Sequence, residues 1–180
     1  MIIKSIPKDK WVDLKRETHN TIVYILEAVE TLRDHITANV QLSASEIMMC
    51  AGLYSHAVEE YGKLIYLKSL SPKPDGNVDI EFGNRRSPGK FDNHKHKFEL
   101  AIATLPPQCT TLHSGAFTRD SYSRESHDVD TISDWETRLT IFNTDFREDG
   151  TVKRYPTVDV ENLRTAITEF RNIVNTTSPI

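Results

Sequence analysis

The stretch YSHAVEEYGKLIYLKSL, Tyr54 to Leu70, sets two adjacent glutamates, Glu59 and Glu60, inside an apolar run, with His56 before them and Lys63 after. Further along, NHKHK gathers His94, His96 and Lys97, and Arg138 is followed after four residues by Asn143. Carboxylates and imidazoles can pass protons near neutral pH, and an arginine can grip a phosphate through paired hydrogen bonds. Asn143 can donate to a phosphate or ribose oxygen but cannot take a proton.

On a helix turning about 100° per residue, Cys50, Tyr54, Ala57, Tyr61, Leu64, Ile65 and Lys68 share the main core face. Met49, Leu53, Glu60 and Leu67 form a second stripe, with His56 beside it. Glu60 therefore sits among apolar neighbours, where a carboxylate must find a partner or shift its pKa. The candidate partners are His56 one turn earlier and a cation from another helix, supplied by the HKHK run or by Arg138. Glu59 points elsewhere and precedes Lys63 by four residues, the orientation of a helix surface ion pair, so it is expected to be solvated. Ala44, Ala51, Ser55, Gly62 and Ser69 make a strip of small residues where another backbone can come close. That backbone belongs either to this chain or to a second copy.

His56 and Glu60 also have the spacing of two metal ligands, with His94 or His96 as a third. Those two histidines diverge on a helix, and neither a Cys pair nor an HExxH string supports them, so neither metal nor cofactor is expected. Phosphate-loop and nucleophile-elbow strings, GxxxxGK[ST] and GxSxG, do not occur. This argues against nucleotide-switch and classical hydrolase chemistry.

The elements that must position these residues are mostly helices. Trp11 to Val40 repeats apolar residues at three- and four-residue spacing, and Pro7 suits the first turn of that helix. A second helix opens at SASE, where Ser43 and Glu46 have capping-box spacing, and Pro72 limits it beyond Leu70. The segment between Ser71 and Asp92 reads as a loop, with VDIEF at most a short extended piece. Asp92 or Asn93 can cap a third helix through Leu105, stopped by Pro106 and Pro107. Gln108 to Thr131 is a long polar loop, and Trp135 to Phe146 reads either as a helix continuing from Trp135 or as a strand in which Leu139, Ile141 and Asn143 alternate, turning at Asp149 and Gly150 into TVKRY as a small hairpin. A last helix after Pro156 carries Val160, Leu163, Ile167, Phe170 and Val174 on one stripe.

With 180 residues the chain is expected to be one all-α domain, residues 1–180. Hydrophobic residues at 38% and charged residues at 27% fit a globular chain and argue against disordered and membrane classes. Two cysteines cannot build a disulfide framework, and the amino terminus lacks a signal-peptide pattern, so the expected setting is cytoplasmic, with no membrane partner. A net charge of -4 disfavours a protein that coats nucleic acid but allows a local basic patch, of which NRRSPGKFDNHKHK is the clearest.

HAVEEYGKLIYL followed by FDNHKHKFELAIATL, with the later RLTIFNTDFREDGTVKRYPTVDVENLRTAI, resembles the abortive-infection AbiV family. The resemblance implies a HEPN-like up-and-down helical bundle, commonly a homodimer, in prokaryotic phage defence. Many HEPN proteins are metal-independent ribonucleases with an Arg, four to six residues, then a His. None of the seven histidines here has that spacing, and Arg138 leads to Asn143 instead. Two readings are open. In the first, an endoribonuclease or RNA-binding toxin uses Arg138 on the phosphate, His94 or His127 for proton transfer, and Glu60 to orient a basic partner. In the second, a non-catalytic module uses Glu60, Lys63, His94 and Arg138 as a polar ligand site, with His56, Lys97 and Asn143 as further binding candidates. RNA, a second copy and a neighbouring regulatory protein are the candidate partners.

Overall fold

The chain begins with a strand that its sequence hides. A computed structural model describes residues 2–38, 44–83, 89–110 and 160–178. Strand β1, Ile2–Pro7, pairs antiparallel with β2, Asn77–Phe82, in the register Ile2 opposite Phe82 and Pro7 opposite Asn77. VDIEF is thus extended as expected, but Pro7 closes a strand and does not lie inside the first helix turn. A proline at the end of an edge strand leaves no ladder hydrogen bond missing from the interior. The next residue, Lys8, starts helix α1, Lys8–Ala38, and its N–H bonds the carbonyl of Gly76 at 3.1 Å. Gly76 turns the chain into β2 at φ +79, a conformation that favours glycine.

Helix α2, Ala44–Ser69, ends before Pro72 as expected, and Ser43 of the proposed capping box lies outside the described residues. Helix α3, His94–Thr104, follows a loop, a short 3-10 turn spans Pro107–Cys109, and helix α4 runs Val160–Thr176. The described residues are mostly helical, with four α-helices and one two-stranded sheet, so the all-α expectation holds except for that sheet. The possible hairpin before the last helix, and most of the long polar loop, lie outside the described residues. No helix among the described residues is long and apolar enough to cross a membrane.

Helix α2 is the element around which the others pack. Ile22, Leu26 and Val29 of α1, Tyr54, Ala57 and Leu64 of α2, Phe98 of α3, and Ile167 and Phe170 of α4 build the main core. Tyr54 is fully buried, and its hydroxyl donates to the carbonyls of Cys109 at 2.7 Å and Ala166 at 3.2 Å, tying α2 to the 3-10 turn and to α4. The Phe170 ring takes Tyr54 and Tyr61 edge-on at 5.8 and 5.3 Å. A second cluster of Trp11, Tyr66, Leu67, Val78 and Ile80 fixes the sheet to α1 and α2. Trp11 Nε1 donates to the Leu67 carbonyl at 3.0 Å there, supplying one of the acceptor bonds that the end of α2 lacks.

Candidate functional site: a buried carboxylate at the start of a basic helix

Asn93 caps α3: its side chain accepts from the His96 N–H at 3.3 Å. Asp92, the other candidate cap, instead accepts from the Gly83 and Gly89 N–H groups and pins the base of the loop before the helix. The first turn of α3 is His94, Lys95, His96 and Lys97, with no acidic residue in it. Positive side chains at a helix N-terminus oppose the helix dipole. The compensating negative charge comes from α2.

That charge is Glu59. Its Oε1 accepts from Lys97 Nζ at 2.6 Å and lies 2.5 Å from His94 Nδ1. His94 and Lys97 are three residues apart, so one face of α3 presents both to α2. The Glu59 and Lys97 side chains are 1% and 6% exposed, whereas that of His94 is 51% exposed. The cluster is therefore a closed ion pair with an imidazole at its solvent side. His96 faces Tyr66 edge-on, ring centroids 6.2 Å apart, and Lys95 is exposed.

The expectation that Glu59 is solvated and pairs with Lys63 is thus corrected. Both glutamates are buried, and it is Glu59 that a distant cation neutralises. Glu60 Oε2 pairs with Lys63 Nζ of its own helix at 3.0 Å. Among the described residues no hydrogen bond or ion pair joins half-buried His56 to Glu60, and no three His, Cys, Asp or Glu side chains gather as a metal site. Arg138, Asn143 and His127 lie outside the described residues.

Small residues explain the exchange of roles. Glu59 stands four residues after Ser55 and three before Gly62, on the strip where close approach is expected. The approaching backbone is α3 of the same chain: a Cβ on Gly62 would come within 1.7 Å of the Lys97 carbonyl oxygen. Ala51, Ser55 and Gly62 are all buried, so this part of the strip serves internal packing. The signal was in the sequence, because a carboxylate on a strip built for close packing must meet whatever packs there. Glu59 lies away from both apolar stripes, so stripe membership alone does not reveal its burial.

Cys50 and Cys109 are buried, and burial pushes both thiols up to about 11, away from nucleophilic use. Among the described residues, the Glu59, His94 and Lys97 cluster and the adjacent pair of Glu60 and Lys63 retain chemical possibilities. If the His94 Nδ1 carries the proton toward Glu59, the neutral ring places its lone pair on Nε2, where it can accept another proton. No protein-family model, curated protein or solved structure matches the chain.

Proposed function

We propose that this chain is an AbiV-like, HEPN-type protein of prokaryotic phage defence that cuts RNA by metal-independent proton transfer at His94. The observation that carries the reading is a half-exposed imidazole bound at Nδ1 by a carboxylate that is itself buried and neutralised by Lys97. A carboxylate so placed fixes the ring's orientation and tautomer, the part an orienting acid plays beside a catalytic histidine. Nε2 then accepts the proton of a ribose 2'-hydroxyl. The freed oxygen attacks the adjacent phosphorus, the 5'-oxygen of the next nucleotide leaves with the P–O bonding pair and takes a proton from water, a 2',3'-cyclic phosphate remains, and Nε2 returns its proton to solvent. In this reading Arg138, by its resemblance to the family's arginine, holds the phosphate, and Glu59 takes the orienting part first expected of Glu60.

The test is cleavage of end-labelled RNA in the presence of a chelator. Wild type is expected to cut and to leave a cyclic phosphate. His94→Ala is expected to lose on the order of a hundredfold or more in rate, the usual worth of a positioned acid or base. Glu59→Gln and Arg138→Ala are also expected to fall. Intact RNA after incubation with folded wild type would refute the cleavage reading. It would favour the alternative of a non-catalytic HEPN-like binding module, which the close packing of Lys97 on Gly62 supports by giving the buried ion pair a purely structural use.

A further inference from the structure

The two-stranded sheet has two outer edges, and they are treated differently. Lys8, next in register after Pro7, donates its N–H to Gly76, so the even-numbered residues of β1 turn their backbone groups toward β2 and the odd-numbered ones turn theirs away. Beyond β2, the outward groups of Asn77 and Glu81 are met. The Asn77 carbonyl accepts from the Lys73 N–H at 2.8 Å, and the Asn77 N–H donates to Asp75 Oδ1 at 2.9 Å. The Glu81 N–H donates to the Tyr66 hydroxyl at 3.1 Å, and the Glu81 carbonyl accepts from the Phe91 N–H at 3.0 Å. Beyond β1, the backbone N–H and C=O groups of Ile3 and Ser5 have no hydrogen-bond partner among the described residues. Ile3 is 55% exposed, and every residue of β1 except Ile6 is exposed, so this edge is open to solvent.

The side chains along the open edge have a definite order. Ile2, Lys4 and Ile6 leave the face that carries Val78, Ile80 and Phe82, where Ile6 and Phe82 pack on the second core cluster. Lys4 is exposed, rests its ammonium on the rim of that cluster 4.6 Å from the Phe82 centroid, and pairs with no carboxylate among the described residues. The acids of the sheet leave the opposite face and are already held, Asp79 by Lys73 at 2.5 Å and Glu81 by Lys90 at 3.1 Å. A strand laid antiparallel along this edge would exchange two hydrogen bonds with Ile3 and two with Ser5, and would set one residue opposite Lys4. In a second copy laid so that Ile3 and Ser5 satisfy one another, that residue is Lys4 itself, and like charges directly opposite are destabilising.

We infer that the outer edge of β1 is a docking edge for an extended segment of a partner protein, added antiparallel to the sheet, with an acidic residue opposite Lys4 and apolar residues opposite Ile2 and Ile6. Backbone bonds to Ile3 and Ser5 supply the affinity, and the alternate side chains supply the choice of partner. Apolar side chains opposite Ile2 and Ile6 extend the cluster beneath the sheet, covering Ile2, which is 49% exposed. Pro7 has no N–H to offer and ends the edge. A lysine on an open edge discourages pairing with strands at large. It therefore selects among them, because a carboxylate opposite it gains what a basic residue loses.

The experiment is fluorescence anisotropy of a short labelled peptide of alternating threonine and valine, with glutamate in place of the central valine, titrated with the full chain. Wild type is expected to bind it, and to bind the same peptide with a central lysine about fivefold more weakly, the scale of a cross-strand charge pair. Lys4→Glu is expected to reverse that preference. Ile3→Pro removes an outward N–H and none of the bonds to β2, and is expected to weaken binding about tenfold. Should Ile3→Pro fail to fold, a peptide methylated on the backbone nitrogens that face Ile3 and Ser5 makes the same test on wild type, and is expected not to bind. Amide hydrogen exchange is expected to be fast at Ile3 and Ser5 in the free protein and slow with the glutamate peptide bound.

None of these measurements involves RNA. Absence of binding by folded wild type overturns the docking edge, as does equal affinity for the glutamate and lysine peptides. Protection of the Ile3 and Ser5 amides that grows with protein concentration and needs no peptide also overturns it, because a second copy then occupies the edge.

Discussion

Lys97 Nζ meets Glu59 Oε1 at 2.6 Å, and the same oxygen lies 2.5 Å from His94 Nδ1. Two helices far apart in sequence are therefore joined through a single carboxylate oxygen, next to the point where Gly62 lets their backbones touch. An enclosed pair of this kind adds little net stability over an apolar replacement, yet breaking it strands a charge. Its worth lies in fixing α3, and with it His94, against α2.

Removing one partner is therefore expected to cost more than removing both. Lys97→Met should lower unfolding free energy by about 3–5 kcal/mol, the usual cost of stranding a buried charge. Adding Glu59→Gln to it should recover part of the loss. Urea denaturation of the two single variants and the double variant measures this coupling. Strictly additive losses would mean that the two side chains do not interact.

Gly62→Ala is expected to push α3 off α2, because the new methyl group would overlap the Lys97 carbonyl. Overpacking of this sort costs about 1–3 kcal/mol or more. A thermal melt reads the destabilisation. A variant as stable as wild type would mean that α3 stands further from α2 than a Gly62 contact allows.

The two glutamates are expected to differ in strength as well as in partner. Glu60 and Lys63 have side chains 10% and 21% exposed on the same helix, so water still reaches the pair. Glu60→Gln should cost about 1 kcal/mol, the upper end for such pairs, and should leave the rate of RNA cleavage near wild type. Glu59→Gln should cost more and slow cleavage. Equal effects of the two on stability and rate would dissolve the distinction between them.

The helices were legible because each buries a stripe that repeats at helical spacing. The residues expected on α4 from Leu163 to Val174 are buried, and Asn93 caps α3. β1 was not legible: IIKSIP has neither a clean alternation nor a turn signal, and five of its six residues are exposed. It exists as a strand through its pairing with β2, a relation between distant segments that local patterning does not encode. The candidate site was half legible. The paired glutamates and the HKHK run stand out by residue type and spacing, but which glutamate faces which helix depends on where α3 lands, and only Gly62 and its small neighbours carry that information.

Cysteine chemistry offers a pH prediction. Burial pushes Cys50 and Cys109 up to about 11, while thiols in an unfolded chain ionise near about 8.5. The unfolded state therefore loses these protons first as pH rises. The stability due to buried neutral thiols is complete below the unfolded value and declines from about 8.5 toward about 11. Urea midpoints across that range should fall, and the fall should lessen in Cys50→Ala relative to that variant's own neutral-pH midpoint. A thiol reagent at mildly alkaline pH should leave the native protein unlabelled and modify both cysteines after unfolding.

The most direct test of the proposed proton transfer is a long-range proton–nitrogen NMR spectrum of His94 in alkaline solution, where its two ring nitrogens report the tautomer. The expected spectrum has the proton on Nδ1, facing Glu59, with Nε2 as the acceptor nitrogen, and it is unchanged in Glu60→Gln. A ring protonated on Nε2 in the wild type would contradict it, because the buried carboxylate would then not be holding His94 for proton transfer.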